Sequence, residues 1–374
     1  MSYDVVIIGA GSMGMAAGYY LSKANKSVAL IDKYDPPHSE ASHHGESRLI
    51  RHAYGEGENY VPLALRSQEL WQAMEKQAGT SVFLQTGVLN IGTEKSLFLK
   101  NVIQSAKTFS LPAVVLTSQQ INERWPGYSL PGNLMGCFEK NSGILMSEKA
   151  INSFRKLAVR DGAEIYPNSK IQLIEANDNK VKVNLNDQVI EGNQLIITAG
   201  KGTNQVTAHL ERKLPITPVR KTFSWFHSDE NLYSPEVFPA WSFNDENSTY
   251  YGFPSLNHSG VKIGRHDGGH ELRPNEKLEV FGTYSEDSEV TSSFAEKYFS
   301  QKAQHKEGKV CTYTNSPDGD FIIDRLPGYQ NIMVACGFSG HGFKFSSAIG
   351  EVLSQMVLKN KPDIDISNFG LSRF

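Results

Sequence analysis

No stretch of this chain approaches the run of about 18 apolar residues that a membrane-spanning helix needs. Cysteine is scarce: Cys137, Cys311 and Cys336 are the whole complement, odd in number and widely spaced. That arrangement makes neither a disulfide framework nor a zinc pattern, and it suits a reducing cytoplasm. Charge of one sign is lacking too. The 37 Lys and Arg against 40 Asp and Glu leave a net charge of −3. Such a balance gives no electrostatic reason to expect nucleic acid or an anionic membrane as partner. Internal repeats and low-complexity segments are absent. The remainder is an ordinary globular composition, 39% hydrophobic and 21% charged over 374 residues. That length supports a large core and predicts two domains.

The N-terminus organises the rest. Val5 to Ile8 is an uninterrupted, β-branched apolar run that reads as a strand buried on both faces, and not as a signal peptide, since it has no basic flank. Gly9, Gly11 and Gly14 follow at once in G-x-G-x-x-G spacing, and Met15 to Lys23 read as a helix. Gly9 permits the tight turn, Gly11 the approach of a pyrophosphate, and Gly14 the packing of helix on strand. The phosphates would meet free N–H groups at the positive end of that helix. Asp32 ends the second strand, Ser27 to Ile31, and is placed to accept hydrogen bonds from a ribose.

Residues 33–60 depart from a simple nucleotide domain. The cluster around Ser42, His43, His44, Arg48, Arg51, His52 and Tyr54 is rich in histidine, arginine and glycine. Long loops in compact domains are often functional, and a solvated basic turn is the other reading. A helix is expected over Val61–Gln77, short strands near 87–92 and 113–116, and helices near 118–125 and 148–161. Gln194 to Gly200 reads as a further buried strand returning to the nucleotide. Residues 215–310 read mainly as β structure, closed by a helix near 292–304. A second strand–glycine loop–helix unit follows, with the strand Asn331 to Cys336, the turn carrying Gly340, His341 and Gly342, and a helix opening at Phe343 and Lys344. Its N-terminus could face another negative part of a ligand.

Taken together, GAGSMG, SHHGESRLIRHAYGEGENYVPLALRSQELW, YYGFPS with VKIGRH, VCTYTNSPDGDFIID and GFSGHGFKFSS resemble the monomeric sarcosine oxidase and N-methyltryptophan oxidase family of flavoprotein amine oxidases. The resemblance covers nearly the whole chain. It implies an α/β fold of the glutathione-reductase-like, sarcosine oxidase type. A Rossmann-like FAD-binding domain (1–84, 146–220 and 310–374) would carry a mainly antiparallel β-sheet substrate domain (85–145 and 221–309). It also implies FAD, a small secondary amino acid and O2 as partners, and a monomer. The reaction implied is oxidative demethylation of an N-methyl amino acid, sarcosine in first place, with formaldehyde and hydrogen peroxide as products. N-methyl-L-tryptophan or a cyclic amine such as pipecolate are the alternatives among oxidases. A dehydrogenase using another electron carrier and a nucleotide-binding redox sensor are the rivals outside that class.

The resemblance assigns roles residue by residue. Cys311 matches the cysteine that carries the flavin 8α-methyl group. Arg51 and Lys344 match the pair that grips the substrate carboxylate, a task suited to a planar guanidinium beside a point charge. Lys262 matches the lysine over the flavin ring where O2 is reduced. His44 and Arg48 match residues lying against the flavin. Tyr54, Tyr251 and His266 align with positions lining the substrate cavity, and Tyr313 would add an aromatic wall. Two departures stand out. Lys201-Gly202 stands where relatives carry an aromatic residue. Ala240-Trp241-Ser242-Phe243, a stretch expected to line the cavity, follows neither the sarcosine nor the N-methyltryptophan pattern.

Overall fold

A computed structural model of the chain describes residues 1–245, 248–274, 276–359 and 361–374. Its first sheet is built on the strand Ser2–Ile8, which pairs in parallel with Val28–Ile31 on one side and with Val189–Ile197 on the other. Glu164–Tyr166 extends the sheet beyond Val28–Ile31, and Ile332–Cys336 joins the far end of Val189–Ile197, both in parallel. The continuous apolar run of this strand has a simple cause. Val5 and Ile7 point into one core and Val6 and Ile8 into another, so neither face meets water.

The helices Ser12–Lys23, Ser147–Arg160 and Ser346–Lys359 pack over one face. Ser12–Lys23 and Ser346–Lys359 approach closely because Gly350 presents no side chain: a Cβ there would run into Ala16. The other face is covered by the antiparallel strands Ile171–Ala176 and Val181–Leu185 turning back on the sheet, with Leu210 and Leu214.

The second sheet runs from His270–Glu271 through Thr217–Phe226, Val261–Arg265, Thr249–Phe253, Ala240–Asn244, Val88–Thr93 and Leu134–Glu139 to Ala113–Thr117. His305–Asn315 also pairs along Thr217–Phe226. Every pairing is antiparallel except that of Ala240–Asn244 with Val88–Thr93. The domain limits expected at 220 and 309 cut through Thr217–Phe226 and His305–Asn315, so Cys311 belongs to this second sheet. The expected helix near 292–304 is formed by Glu286–Tyr298, about one and a half turns earlier.

The two faces of the second sheet differ because its side chains alternate. One face is aromatic and lies under Glu286–Tyr298: Trp241 stacks on Phe294 at 5.1 Å and Phe243 meets Tyr298 at 4.4 Å. The opposite face carries Lys221, Phe223, Lys262, Cys311 and Tyr313, and it looks towards the nucleotide domain. A small third sheet, Ser47–Ile50 with Gly143–Met146 and Phe83–Leu84, lies where the two larger units meet.

Candidate active site

The dinucleotide end is made mostly by backbone. Gly9 sits at φ +95°, where a side chain would be strained and would also strike the Thr198 carbonyl. A Cβ at Gly14 would run into the Gly9 carbonyl and the Thr198 hydroxyl, so helix and strand can meet only through glycine. Gly11 is different. The nearest neighbour of a Cβ there is His43 Nδ1 at 3.8 Å, which leaves space in front of the helix. The helix Ser12–Lys23 has no side-chain cap on its first amides, and such amides form a ready cradle for an anion.

Asp32 braces this turn. Its carboxylate accepts from Ala10 N at 2.8 Å and Tyr34 N at 3.0 Å, and it lies 3.3 Å from His38 Nε2. The carboxylate thus has a structural duty besides the ribose contact expected of it, and its remaining lone pairs are free for that contact. His43 is buried with Nε2 lacking a hydrogen-bond partner among the described residues. Burial, with help from His38, pushes its pKa down to about 3. A neutral imidazole beside an open glycine loop with an unused ring nitrogen fits a dinucleotide. Ser42 contributes its carbonyl, which accepts from Arg48 at 2.7 Å.

A cavity is lined, among others, by Arg48, Arg51, Ser242, Tyr251, Cys311 and Lys344. Arg48 is held by backbone alone in the bonds it makes, donating to the carbonyls of Ser47, Ser42 and His44 at 2.7, 2.7 and 2.6 Å. His44 lies 3.7 Å from Glu148, and burial lowers its pKa. Cys311 is buried, which raises its thiol pKa, while Arg48, Lys262, Lys221 and Arg220 pull it down. Tyr251 and Tyr313 stand together on the cavity wall, and burial pushes Tyr251 up to about 12. His266 lies 5.6 Å from the Tyr313 ring and is half-buried, and desolvation lowers its pKa to about 4.

Arg51 is buried, its guanidinium 4.4 Å from the Tyr54 ring centre and 5.2 Å from that of Phe98. It donates to both oxygens of Glu56, at 2.7 and 2.8 Å. Burial opposes the charge on each partner, and each outweighs it for the other: Arg51 is raised, and Glu56 is lowered to about 2. Lys344 donates to Tyr54 Oη at 3.0 Å and the His341 carbonyl at 2.7 Å. Burial and the neighbouring Arg51 bring its pKa down to about 7. The final loop is shaped around these groups: a Cβ at Gly340 would enter the Tyr313 ring, and one at Gly342 would strike Phe338. Phe343 stacks on Trp71 at 6.0 Å and also lines the cavity.

Several expected residues stand elsewhere. Lys262 is not on the cavity surface but buried behind it, donating to the Gly45 carbonyl and lying 4.5, 5.0 and 5.4 Å from the rings of Phe223, Phe253 and Trp225. Burial drives its pKa well down, whereas the carbonyl and the three ring faces favour the ammonium form. Tyr54 lies one layer beneath the wall, its hydroxyl between Lys344 and His341 Nδ1. Trp241 and Phe243 do not line the cavity. Strand alternation turns them to the aromatic face under Phe294 and leaves only Ser242 of that stretch on the wall. Lys201 pairs with Glu40 at 3.0 Å and is remote from the wall.

Sequence reasoning assigned no role to Glu56, Phe98 or His341, all of which line the cavity. Glu56 and His341 lie inside quoted motifs, so proximity to Arg51 and Lys344 was the available signal. Phe98 comes from the helix Leu97–Thr108 and gives no signal in sequence.

The sequence matches the family DAO, FAD dependent oxidoreductase, over residues 4–356. The chain belongs to this family. Monomeric sarcosine oxidase of Bacillus sp. (strain B-0618) is 42% identical to it, over 99% of this chain and 96% of the relative. N-methyl-L-tryptophan oxidase of Yersinia pestis (strain Pestoides F) is also 42% identical, over the whole of both. Among solved structures, L-proline dehydrogenase from P. horikoshii superposes with a TM-score of 0.88 at 21% identity, covering 100% of this chain and 98% of that one. NikD superposes with a TM-score of 0.87 at 16% identity, covering 99% and 97%. At these identities the structures speak for the fold only, and they agree with the expected α/β architecture. The FAD-dependent family and the open glycine loop agree on the cofactor. Among the described residues no helix is long and apolar enough to cross a membrane, and no group of three or more His, Cys, Asp or Glu could hold a metal.

Proposed function

We propose that this FAD-dependent oxidoreductase demethylates an N-methyl amino acid, as a cytoplasmic monomer, with sarcosine in first place. The amino acid, O2 and water give the demethylated amino acid, formaldehyde and hydrogen peroxide. When bound, FAD would supply the two-electron acceptor chemistry that no side chain has. Gly11, the first turn of Ser12–Lys23 and Asp32 would hold its nucleotide half. Arg48 and His44 would lie against the ring, and Cys311 would be linked to the 8α-methyl group.

The observation that carries this reading is the Arg51–Glu56 pair. A buried guanidinium already holds a carboxylate inside the cavity, Arg51 Nη2 donating to both oxygens of Glu56, with Lys344 as a second cation nearby. A substrate carboxylate that displaced Glu56 would find the same charged donor ready. Tyr251, Tyr313 and His266 wall the cavity in neutral form, so none competes for that carboxylate or must accept a proton. The substrate needs only to arrive with its amine unprotonated. Lys262, close behind the wall, would stabilise negative charge developing on O2.

One observation favours N-methyl-L-tryptophan over sarcosine: Ser242 is the small side chain that the 240–243 stretch turns to the cavity, with Trp241 and Phe243 facing away. The test is peroxide and formaldehyde formation in air with each substrate titrated. Equal amounts of both products from either substrate support the reaction. If Ser242→Leu depresses kcat/KM for N-methyl-L-tryptophan about tenfold more than for sarcosine, the larger substrate uses this wall. Flavin-loaded protein that yields no peroxide with any N-methyl amino acid would refute the proposal.

A further inference from the structure

Lys221 is a buried cation for which the reaction above has no use. It lies on Thr217–Phe226, directly opposite Cys311 in the antiparallel pairing with His305–Asn315. Directly paired residues of an antiparallel sheet share a face, with Cβ atoms about 4.5–5.5 Å apart. Lys221 and Cys311 are each only 3–4% exposed. The Lys221 ammonium donates to the carbonyls of Asp267 and Gly268, at 2.5 and 2.9 Å, and lies 5.5 Å from the Tyr313 ring centre. Among the described residues it has no ion-pair partner. The adjacent Asp267 carboxylate is engaged by Arg265 at 2.6 Å and by Thr249 N at 2.5 Å.

The other cations around Cys311 are placed differently. Arg220, the next residue, points to the opposite face and is neutralised by Asp287 through two bonds of 2.6 and 2.7 Å. Arg48, held by three carbonyls, and Lys262, held by the Gly45 carbonyl and the Ser47 hydroxyl, also favour the thiolate, but neither is the cross-strand partner of Cys311. Tyr251 and Tyr313, the remaining titratable groups against the thiol, are neutral.

We infer that Lys221 is a positioning residue for flavin attachment, its ammonium holding Cys311 as the thiolate that forms the C–S bond. The inference rests on the linkage proposed above. In net form the linkage breaks the Cys311 S–H bond and one C–H bond of the 8α-methyl group and makes one C–S bond. The two protons and two electrons released leave on O2 as hydrogen peroxide, so the oxidant is the one the enzyme already uses. A thiol buried among apolar rings resists ionisation, and an opposite charge within reach restores the thiolate by one or more pKa units. Burial lowers Lys221 itself to about 8, so its assistance fades as pH rises through that value.

The experiment follows attachment in full-length protein prepared without flavin and then given FAD, read as flavin fluorescence that stays with acid-precipitated protein. Cys311→Ser defines the zero. Lys221→Gln is expected to bind FAD with an unchanged visible band, yet to attach it about tenfold more slowly at neutral pH, a one-unit rise in thiol pKa. The deficit should shrink as pH is raised towards the thiol pKa. Lys221→Arg, which keeps the charge, should attach at close to the wild-type rate and hold that rate above pH 8. It decides the matter if the glutamine variant does not fold, because its advantage over wild type should appear only above pH 8. Equal rates and pH profiles for wild type, Lys221→Gln and Lys221→Arg would overturn the inference. Wild type that never retains flavin would instead overturn the Cys311 linkage and this inference with it.

Discussion

The nucleotide loop and the cavity solve opposite problems with opposite materials. At the nucleotide end the chain offers backbone: glycines that keep side chains out, uncapped helix amides, and one carboxylate, Asp32, that braces the loop. At the substrate end it offers side-chain charge: Arg51 and Lys344, both buried against the Tyr54 ring, and the more exposed Glu56 that pairs with Arg51. The first end needs absence of bulk and tolerates no addition. The second needs charges that are costly to bury and are kept only because they satisfy one another. Failure should therefore look different at the two ends, all-or-none at the glycines and graded at the charges.

Gly14→Val tests the first end and should have the largest effect. Its side chain would meet the Gly9 carbonyl and the Thr198 hydroxyl, so the purified protein should be colourless, as absorbance near the flavin band per mole of protein will report. Arg51→Ala tests the second end. Losing two charge-assisted bonds to a carboxylate costs about 3 kcal/mol, roughly a hundredfold in kcat/KM, with the flavin band intact. The Arg51→Ala/Glu56→Ala pair should recover thermal stability without recovering activity, since it also removes the orphaned carboxylate.

Lys262→Met sharpens the comparison at the point where the two ends meet. Reoxidation by O2 should slow by about a hundredfold while anaerobic reduction by substrate changes little, as stopped-flow traces of the two half-reactions will show. Equal losses in both would remove the O2 role. The smallest effect is electrostatic. Lys344 titrates at about 7, protonated below and neutral above. The Ki of a simple carboxylate inhibitor without an amine should therefore rise with pH above about 7, by at most tenfold per unit, and Lys344→Met should flatten the profile. The stability linkage has the same origin. The folded pKa is below the unfolded value, so Lys344 adds stability above its unfolded pKa and that stability is lost as pH falls through the folded one.

The same contrast explains what could be read from the sequence. Val5 to Asp32 is one contiguous unit whose period, glycine spacing and acid are local, so strand, loop, helix and brace are all legible there. The site is assembled from residues far apart in the chain, Arg51 with Lys344 and Cys311 with Lys221, and no local pattern joins them. Resemblance supplied several of those roles. It misdirected the reading of Trp241 and Phe243, because a residue's presence in a cavity-lining stretch does not say which face of the strand it occupies. Pairing register does: Ser242 lies opposite Tyr251, and the two share the cavity face. Glu56 went unread because a carboxylate inside the proposed carboxylate-binding site looks out of place until its bond to Arg51 is seen.

The most direct measurement is anaerobic mixing of the flavin-loaded protein with sarcosine and with N-methyl-L-tryptophan, followed by admission of air. Bleaching of the yellow band by at least one of them, with one formaldehyde per flavin and the band returning as peroxide forms, is the predicted result. A band that stays yellow with every N-methyl amino acid tried, in protein that retains its flavin, would contradict the account.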